Sequence, residues 1–205
     1  KSHSFKNFLI DKTIKRLNQY CSKNKISFNQ KWEYEDISIS LNELLLKINE
    51  LISEKNFESA VSHGDLCFSN ILYDPKANRI KVLDPRGLNY LDQQNIYGDI
   101  RYDLSKLCHS VIGGYDHIVS GLHRTKIETN TIDIQFSKDN DLEKLEAFLI
   151  SSISKRFNIS PAEIYAVQIH LFLSMLPLHS DNKERQKGFF ANAFRIYKLL
   201  LELKS

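Results

Sequence analysis

An aspartate and an asparagine five positions apart in a short glycine-containing loop can divide two tasks, one facing a reacting hydroxyl and the other a metal. The loop is Ser62-His63-Gly64-Asp65-Leu66-Cys67-Phe68-Ser69-Asn70. A strand-like Ile71-Leu72-Tyr73 follows it, and Arg79-Ile80-Lys81-Val82-Leu83-Asp84-Pro85-Arg86-Gly87 then brings a third oxygen donor, Asp84, back beside the first two. This trio suits phosphoryl transfer, whose transition state is stabilised mainly by positioning and by metal neutralisation of phosphate charge. Asp65 is expected to orient the acceptor hydroxyl and take its proton. Asn70 and Asp84 are expected to hold Mg²⁺, a hard cation that prefers oxygen. Asp74 stands beside Pro75 and ahead of Asn78, and is expected only to shape a turn.

The ordered set H-G-D-x-x-x-x-N, Ile80-Lys81-Val82-Leu83-Asp84 and Gly98-Asp99-Ile100-Arg101-Tyr102-Asp103-Leu104 resembles the aminoglycoside phosphotransferase and choline kinase-like family, small-molecule kinases that share the protein-kinase fold. The match covers about the middle quarter of the chain. Two departures from protein kinases stand out. Gly64 replaces the arginine that, in many of them, reads a phosphorylated activation loop, and Pro85-Arg86-Gly87 replaces the Phe-Gly of the conformational switch. The resemblance implies a catalytic pair His63 and Asp65, Mg²⁺ on Asn70 and Asp84, ATP as co-substrate, and Asp103 as a buried brace beneath the loop. Arg86, Asp99, Tyr115 and Asp116 are the candidates for acceptor contacts. A D-P-R-G variant also implies a sugar or polysaccharide-precursor acceptor.

The elements around this loop are read from periodicity. Phe5, Phe8, Leu9, Ile14 and Leu17 share one face of a helix over 5–20. Lys12, Lys15 and Arg16 lie mostly off that face; a solvated basic surface is the ordinary reading, and a contact to nucleotide or substrate phosphate the alternative. Residues 21–40 read as a loop with a short element around Trp32 and Tyr34. Ser40 and Glu43 form a capping-box pattern that opens a helix to about Lys55. A helix from Asp103 to about Ile112 should end at Gly113-Gly114, and His109 on it is expected to pack and not to react. Tyr90, Tyr97 and Tyr102 are candidates for an aromatic wall.

Alternation through Ile127, Thr129, Ile132, Ile134 and Phe136 predicts a β-hairpin turning at Asn130. Asp139 or Asn140 should cap a helix over 141–156. Ser160-Pro161-Ala162-Glu163 is a capping box with proline at the first helical position, opening an apolar helix to Met175 that should be the core. A last helix over 183–203 carries Phe189, Phe190, Phe194, Tyr197 and Leu200. The expected class is mainly α with small β-hairpins (α+β), a single domain over 1–205 shaped as the C-terminal helical lobe of a kinase-like fold.

Composition narrows the function. At 205 residues and 42% hydrophobic content the chain can bury a sizeable core. A net charge of +3, with basic residues alternating with acids, does not imply nucleic acid. Cys21, Cys67 and Cys108 lack metal spacing and are odd in number, which favours a reducing compartment. No apolar run approaches membrane-spanning length and the start lacks a signal pattern, so the cytosol is expected. No glycine precedes Gly64, and no lysine strand of the V-A-I-K type lies upstream. The nucleotide lobe of a kinase is therefore expected outside this chain, as a partner lobe of the parent, with self-association favoured by the uncovered surface. The rival to an ATP- and Mg²⁺-dependent kinase is a catalytically inactive kinase-like binding module. The short stretch between Asp84 and Asp99 favours a small-molecule acceptor over a protein.

Overall fold

In the computed structural model the described residues are 4–55, 59–88, 93–137 and 140–203. Helix α1 (Phe5–Asn24) starts where the Ser4 hydroxyl accepts from the Asn7 amide, and it buries Phe5, Leu9, Thr13, Leu17, Tyr20 and Cys21. Spacings of three and four keep those residues on one stripe. The stretch expected to be largely loop contains a complete hairpin instead, β1 (Lys31–Tyr34) paired antiparallel with β2 (Ile37–Ser40). Trp32 and Tyr34 point inward while Lys31 and Glu33 face solvent. The period-two signal was present in only four residues, too few to stand out from the polar sequence around them.

Ser40 ends β2 and caps α2 (Leu41–Leu51), with both bonds of the capping box formed. That helix stops four residues sooner than expected. Beyond Ile52 the backbone is taken by distant side chains: Ser53 N–H donates to Glu163, and the Ser53 and Lys55 carbonyls accept from Arg101. β3 (Ser59–Val61) follows, then a 3₁₀ turn at Phe68–Asn70, the hairpin β4 (Ile71–Asp74) and β5 (Arg79–Val82), and β6 (Tyr97–Asp99), which pairs with β3. Helix α3 (Ile100–Val111) begins three residues before the expected start because Asp99 caps it, accepting from the Arg101 amide.

After the short α4 (Tyr115–Val119), β7 (His123–Glu128) and β8 (Thr131–Phe136) form the expected hairpin, with Thr129 left-handed at φ 51° in its turn. β8 also runs parallel to β1, giving a four-stranded sheet of order β2-β1-β8-β7. Helix α5 (Asn140–Phe157) leads to α6 (Pro161–Met175), in which every residue from Glu163 to Met175 is buried. It is the central rod, packed by α1, α2, α3, α5 and α7 (Lys183–Glu202). Trp32 stands edge-on to Phe190 at 4.9 Å, fastening the β1–β2 hairpin to α7. Only half of the second capping box forms. Ser160 accepts from the Glu163 amide, while the Glu163 carboxylate turns to Arg101. The class is α+β, and no single described helix is long and apolar enough to cross a membrane. The expected cap at Asp139 lies outside the described residues.

Candidate active site

The loop that follows β3 is held from below by one carboxylate. Asp103, buried on the first turn of α3, accepts from the Ser62 hydroxyl at 3.0 Å, the His63 amide at 2.6 Å and the Gly64 amide at 2.7 Å. Three donors to one carboxylate leave the loop little freedom. Gly64 itself has φ 78°, and a Cβ there would lie 2.8 Å from Cβ of Arg86. The position accepts no side chain for both reasons. Further along, the Phe68 amide donates to the Ser110 hydroxyl at 3.0 Å, so α3 fixes the 3₁₀ turn as well.

The far end of β5 is sewn to the same loop. Leu83 N–H donates to the Asn70 carbonyl at 2.9 Å, His63 Nε2 lies 2.8 Å from the Leu83 carbonyl, and Arg86 N–H donates to the His63 carbonyl at 2.8 Å. Asp84 sits between these tethers with φ 55°, a left-handed conformation unusual for a residue with a side chain.

Asp65 is 43% exposed and has its two oxygens turned to different partners. Oδ1 meets the Lys106 ammonium at 2.8 Å, and Oδ2 lies 3.4 Å from Asn70 Nδ2. The Asn70 amide also donates to the Asp65 carbonyl at 2.9 Å, which leaves its own carbonyl oxygen directed elsewhere. Asn70 and the exposed Asp84 supply two oxygen donors and one negative charge. Among the described residues no group of three or more His, Cys, Asp or Glu is placed to hold a metal.

Lys106 was not among the residues expected here; Lys12 and Tyr102 were expected separately, in a basic face of α1 and in an aromatic wall, and not as a pair. Lys12 Nζ, on α1, donates to the Tyr102 hydroxyl at 2.9 Å and lies over the Tyr102 and Phe8 rings at 5.1 and 5.3 Å. The expected basic face of α1 is thus divided: Lys15 is exposed, Lys12 is partly buried, and Arg16 donates to the Ser174 carbonyl. Burial holds the Lys12 ammonium below the usual lysine value. Burial also opposes the charge on Lys106, but Tyr102 and Asp65 outweigh it and its pKa is raised. For Tyr102, burial pushes upward and the neighbouring Lys12 and Lys106 charges more than offset it. The signal that was available is the spacing Asp103, Lys106, Ser110, which places three polar side chains on one stripe of α3.

The remaining candidates scatter. Asp99, a candidate acceptor contact, has its carboxylate buried against Arg101, at 2.9 and 2.7 Å. Arg101 in turn reaches Glu163 at 2.8 Å and stacks over the Phe5 ring, joining α1, α3, α6 and the end of α2. Tyr115 lies between His109, at 5.0 Å, and Phe189, at 5.8 Å. It is half-buried, and burial raises its pKa. Asp116, next to it, keeps one buried carboxylate oxygen without a partner among the described residues. Arg86 is exposed at the loop's edge. His109 packs as expected, stacked on Phe172 at 3.8 Å. Asp74 caps its own turn, accepting from the Lys76 and Ala77 amides. Tyr97 is exposed, Tyr102 is buried, and Tyr90 falls outside the described residues. A surface cleft of about 360 Å³ lies along β7 and β8, lined by His123, Arg124 and Gln135 among others, and shares no residue with the loop.

No family model, curated protein or solved structure matches the chain.

Proposed function

We propose that the chain is the helical lobe of a small-molecule kinase of the aminoglycoside phosphotransferase-like kind, moving the γ-phosphate of ATP to a hydroxyl, with a sugar or polysaccharide precursor as acceptor. The observation that carries this reading is the stitching of the segments bearing Asp65, Asn70 and Asp84 to one another by Asp103, the His63–Leu83 bond and the Asn70–Leu83 bond. Asp65 orients the acceptor hydroxyl. Because Lys106 occupies Oδ1, the proton passes to Oδ2. His63 has both ring nitrogens within reach of backbone groups, Leu83 carbonyl and Asp65 amide, and so positions the loop without touching substrate. Mg²⁺, held by Asn70 and Asp84, would neutralise phosphate charge. The phosphate-covering loop and its lysine would come from outside these 205 residues, as would most of the adenine pocket.

The test is phosphoryl transfer from radiolabelled ATP by the complete reading frame. Asp65→Asn is expected to lower turnover by about 10²–10⁴, the range for general acid–base groups, with nucleotide affinity nearly unchanged. Asp84→Ala should abolish Mg²⁺-dependent nucleotide binding, whereas Asp74→Ala should leave it intact. Full turnover in Asp65→Asn, or equal losses at Asp84 and Asp74, would overturn the assignment.

A further inference from the structure

Beside the candidate base, cations outnumber carboxylates in a way the loop itself does not require. Lys12 from α1 donates to the Tyr102 phenol and lies over its ring, and Lys106, four positions on along α3, shares a helix face with Tyr102. The only described carboxylate in this group is Asp65, and it pairs with Lys106. Lys12 has no carboxylate within ion-pair distance among the described residues; its partners are a hydroxyl and two aromatic faces. The Tyr102 oxygen already accepts from Lys12, and its own hydrogen has no acceptor among the described residues. A partly buried ammonium and a neighbouring hydroxyl donor together lack a negative partner. Burying a charge without one is unfavourable, and a bound anion relieves that.

We infer that Lys12, Tyr102 and Lys106 seat an anionic group of the acceptor, a phosphate or carboxylate, on the α3 side of Asp65. The inference rests on the phosphotransferase reading for the word acceptor; the anion seat stands on the cluster alone. Asp65 separates the two sides. Its Oδ2 faces Asn70, where nucleotide phosphates and metal would gather, and its Oδ1 faces Lys106, which shares a face of α3 with Tyr102. An anionic sugar lying across Asp65 would place its charged group on the lysines and a hydroxyl at Oδ2. Charge-assisted hydrogen bonds from both ammoniums and the phenol would hold it. A neutral sugar would leave Lys12 as unpaired as before.

Binding to the 205-residue chain tests this, read by NMR of the lysine ammonium groups and by calorimetry with inorganic phosphate, glucose 6-phosphate, glucose and ADP. Inorganic phosphate is expected to shift the Lys12 signal. Glucose 6-phosphate should bind at least about tenfold tighter than glucose, as one or two charge-assisted bonds imply. Lys12→Met should erase that difference and Lys12→Arg should retain most of it. Circular dichroism of Lys12→Met guards against simple misfolding, and Tyr102→Phe supplies a second probe of the same seat. Phosphate binding that ignores Lys12, or equal affinity for glucose and glucose 6-phosphate, would overturn the inference. A Lys12 dependence confined to ADP would overturn the assignment to the acceptor. Lys12-dependent phosphate binding in a protein that transfers no phosphoryl group would support the seat and discard the kinase reading. Transfer to neutral acceptors with no Lys12 dependence would do the reverse.

Discussion

Helix α6 and the β4–β5 hairpin are both rich in apolar residues, yet they end in opposite environments. In α6 the whole run from Glu163 to Met175 is buried, and its neighbours α1 and α7 add Leu17, Phe190 and Phe194 to the same interior. In the hairpin, Leu72, Tyr73, Ile80 and Val82 are all at least 50% exposed. The core is held by apolar contact and tight packing. The segment that carries Asp65, Asn70 and Asp84 is held by hydrogen bonds: Asp103 beneath the loop, His63 against Leu83, and Leu83 against Asn70. Apolar content does not by itself produce burial; a partner surface does. A candidate site built this way can keep its polar groups accurately placed while resting on a scaffold that contributes little stability of its own.

That contrast is open to attack from the core side first, where the expected effect is largest. His170 is fully buried on α6, and burial lowers its pKa to about 3 from the ordinary 6.5. His109, stacked on Phe172, is lowered for the same reason. An unfolded chain binds protons at these rings below pH 6.5 while the folded one does not, so the stability from keeping them neutral is complete above pH 6.5. For His170 it is lost as pH falls towards 3, at up to about 1.4 kcal/mol per pH unit, and His109 acts in the same direction. Urea midpoints between pH 7 and 4.5 should fall accordingly, with the His170 ring neutral by NMR throughout. A protonated His170 in the folded protein at pH 5 would show that water reaches the core around α6.

A smaller effect is expected at the junction of the two regions. Asp103→Ala removes the acceptor for three donors and should destabilise the loop by about 1–3 kcal/mol per donor left buried and unpaired. Hydrogen exchange should show the amides of 62–72 and 80–86 losing protection while those of α6 and α7 keep theirs. Uniform loss across both would mean that site and core unfold as one unit. Smallest of all should be Ile80→Thr on the exposed hairpin, within about 0.5 kcal/mol of the parent as for most surface substitutions. A loss above about 1 kcal/mol would show that this face is covered in solution.

What was readable from the chain was local. The Ser40–Glu43 and Ser160 caps, the apolar stripe of α1, the all-round apolar α6, the β7–β8 turn and the Asx turn at Asp74 each depend on residues within a few positions of one another. Asp103 as a brace was also anticipated, through the order of motifs and not through any local signal. The tertiary structure decided the rest. Glu163 abandons its own capping box for Arg101, 62 positions away, and also takes the Ser53 amide just past the end of α2, while Arg101 holds the buried Asp99 carboxylate. Lys12 leaves the solvated face of α1 for Tyr102, 90 positions on, and Lys106 finds Asp65. β1 joins β8 in parallel through Glu33 and Thr131. Periodicity states which face of an element turns inward, but not which element it meets, and a charged side chain is placed by the partner that desolvation obliges it to find.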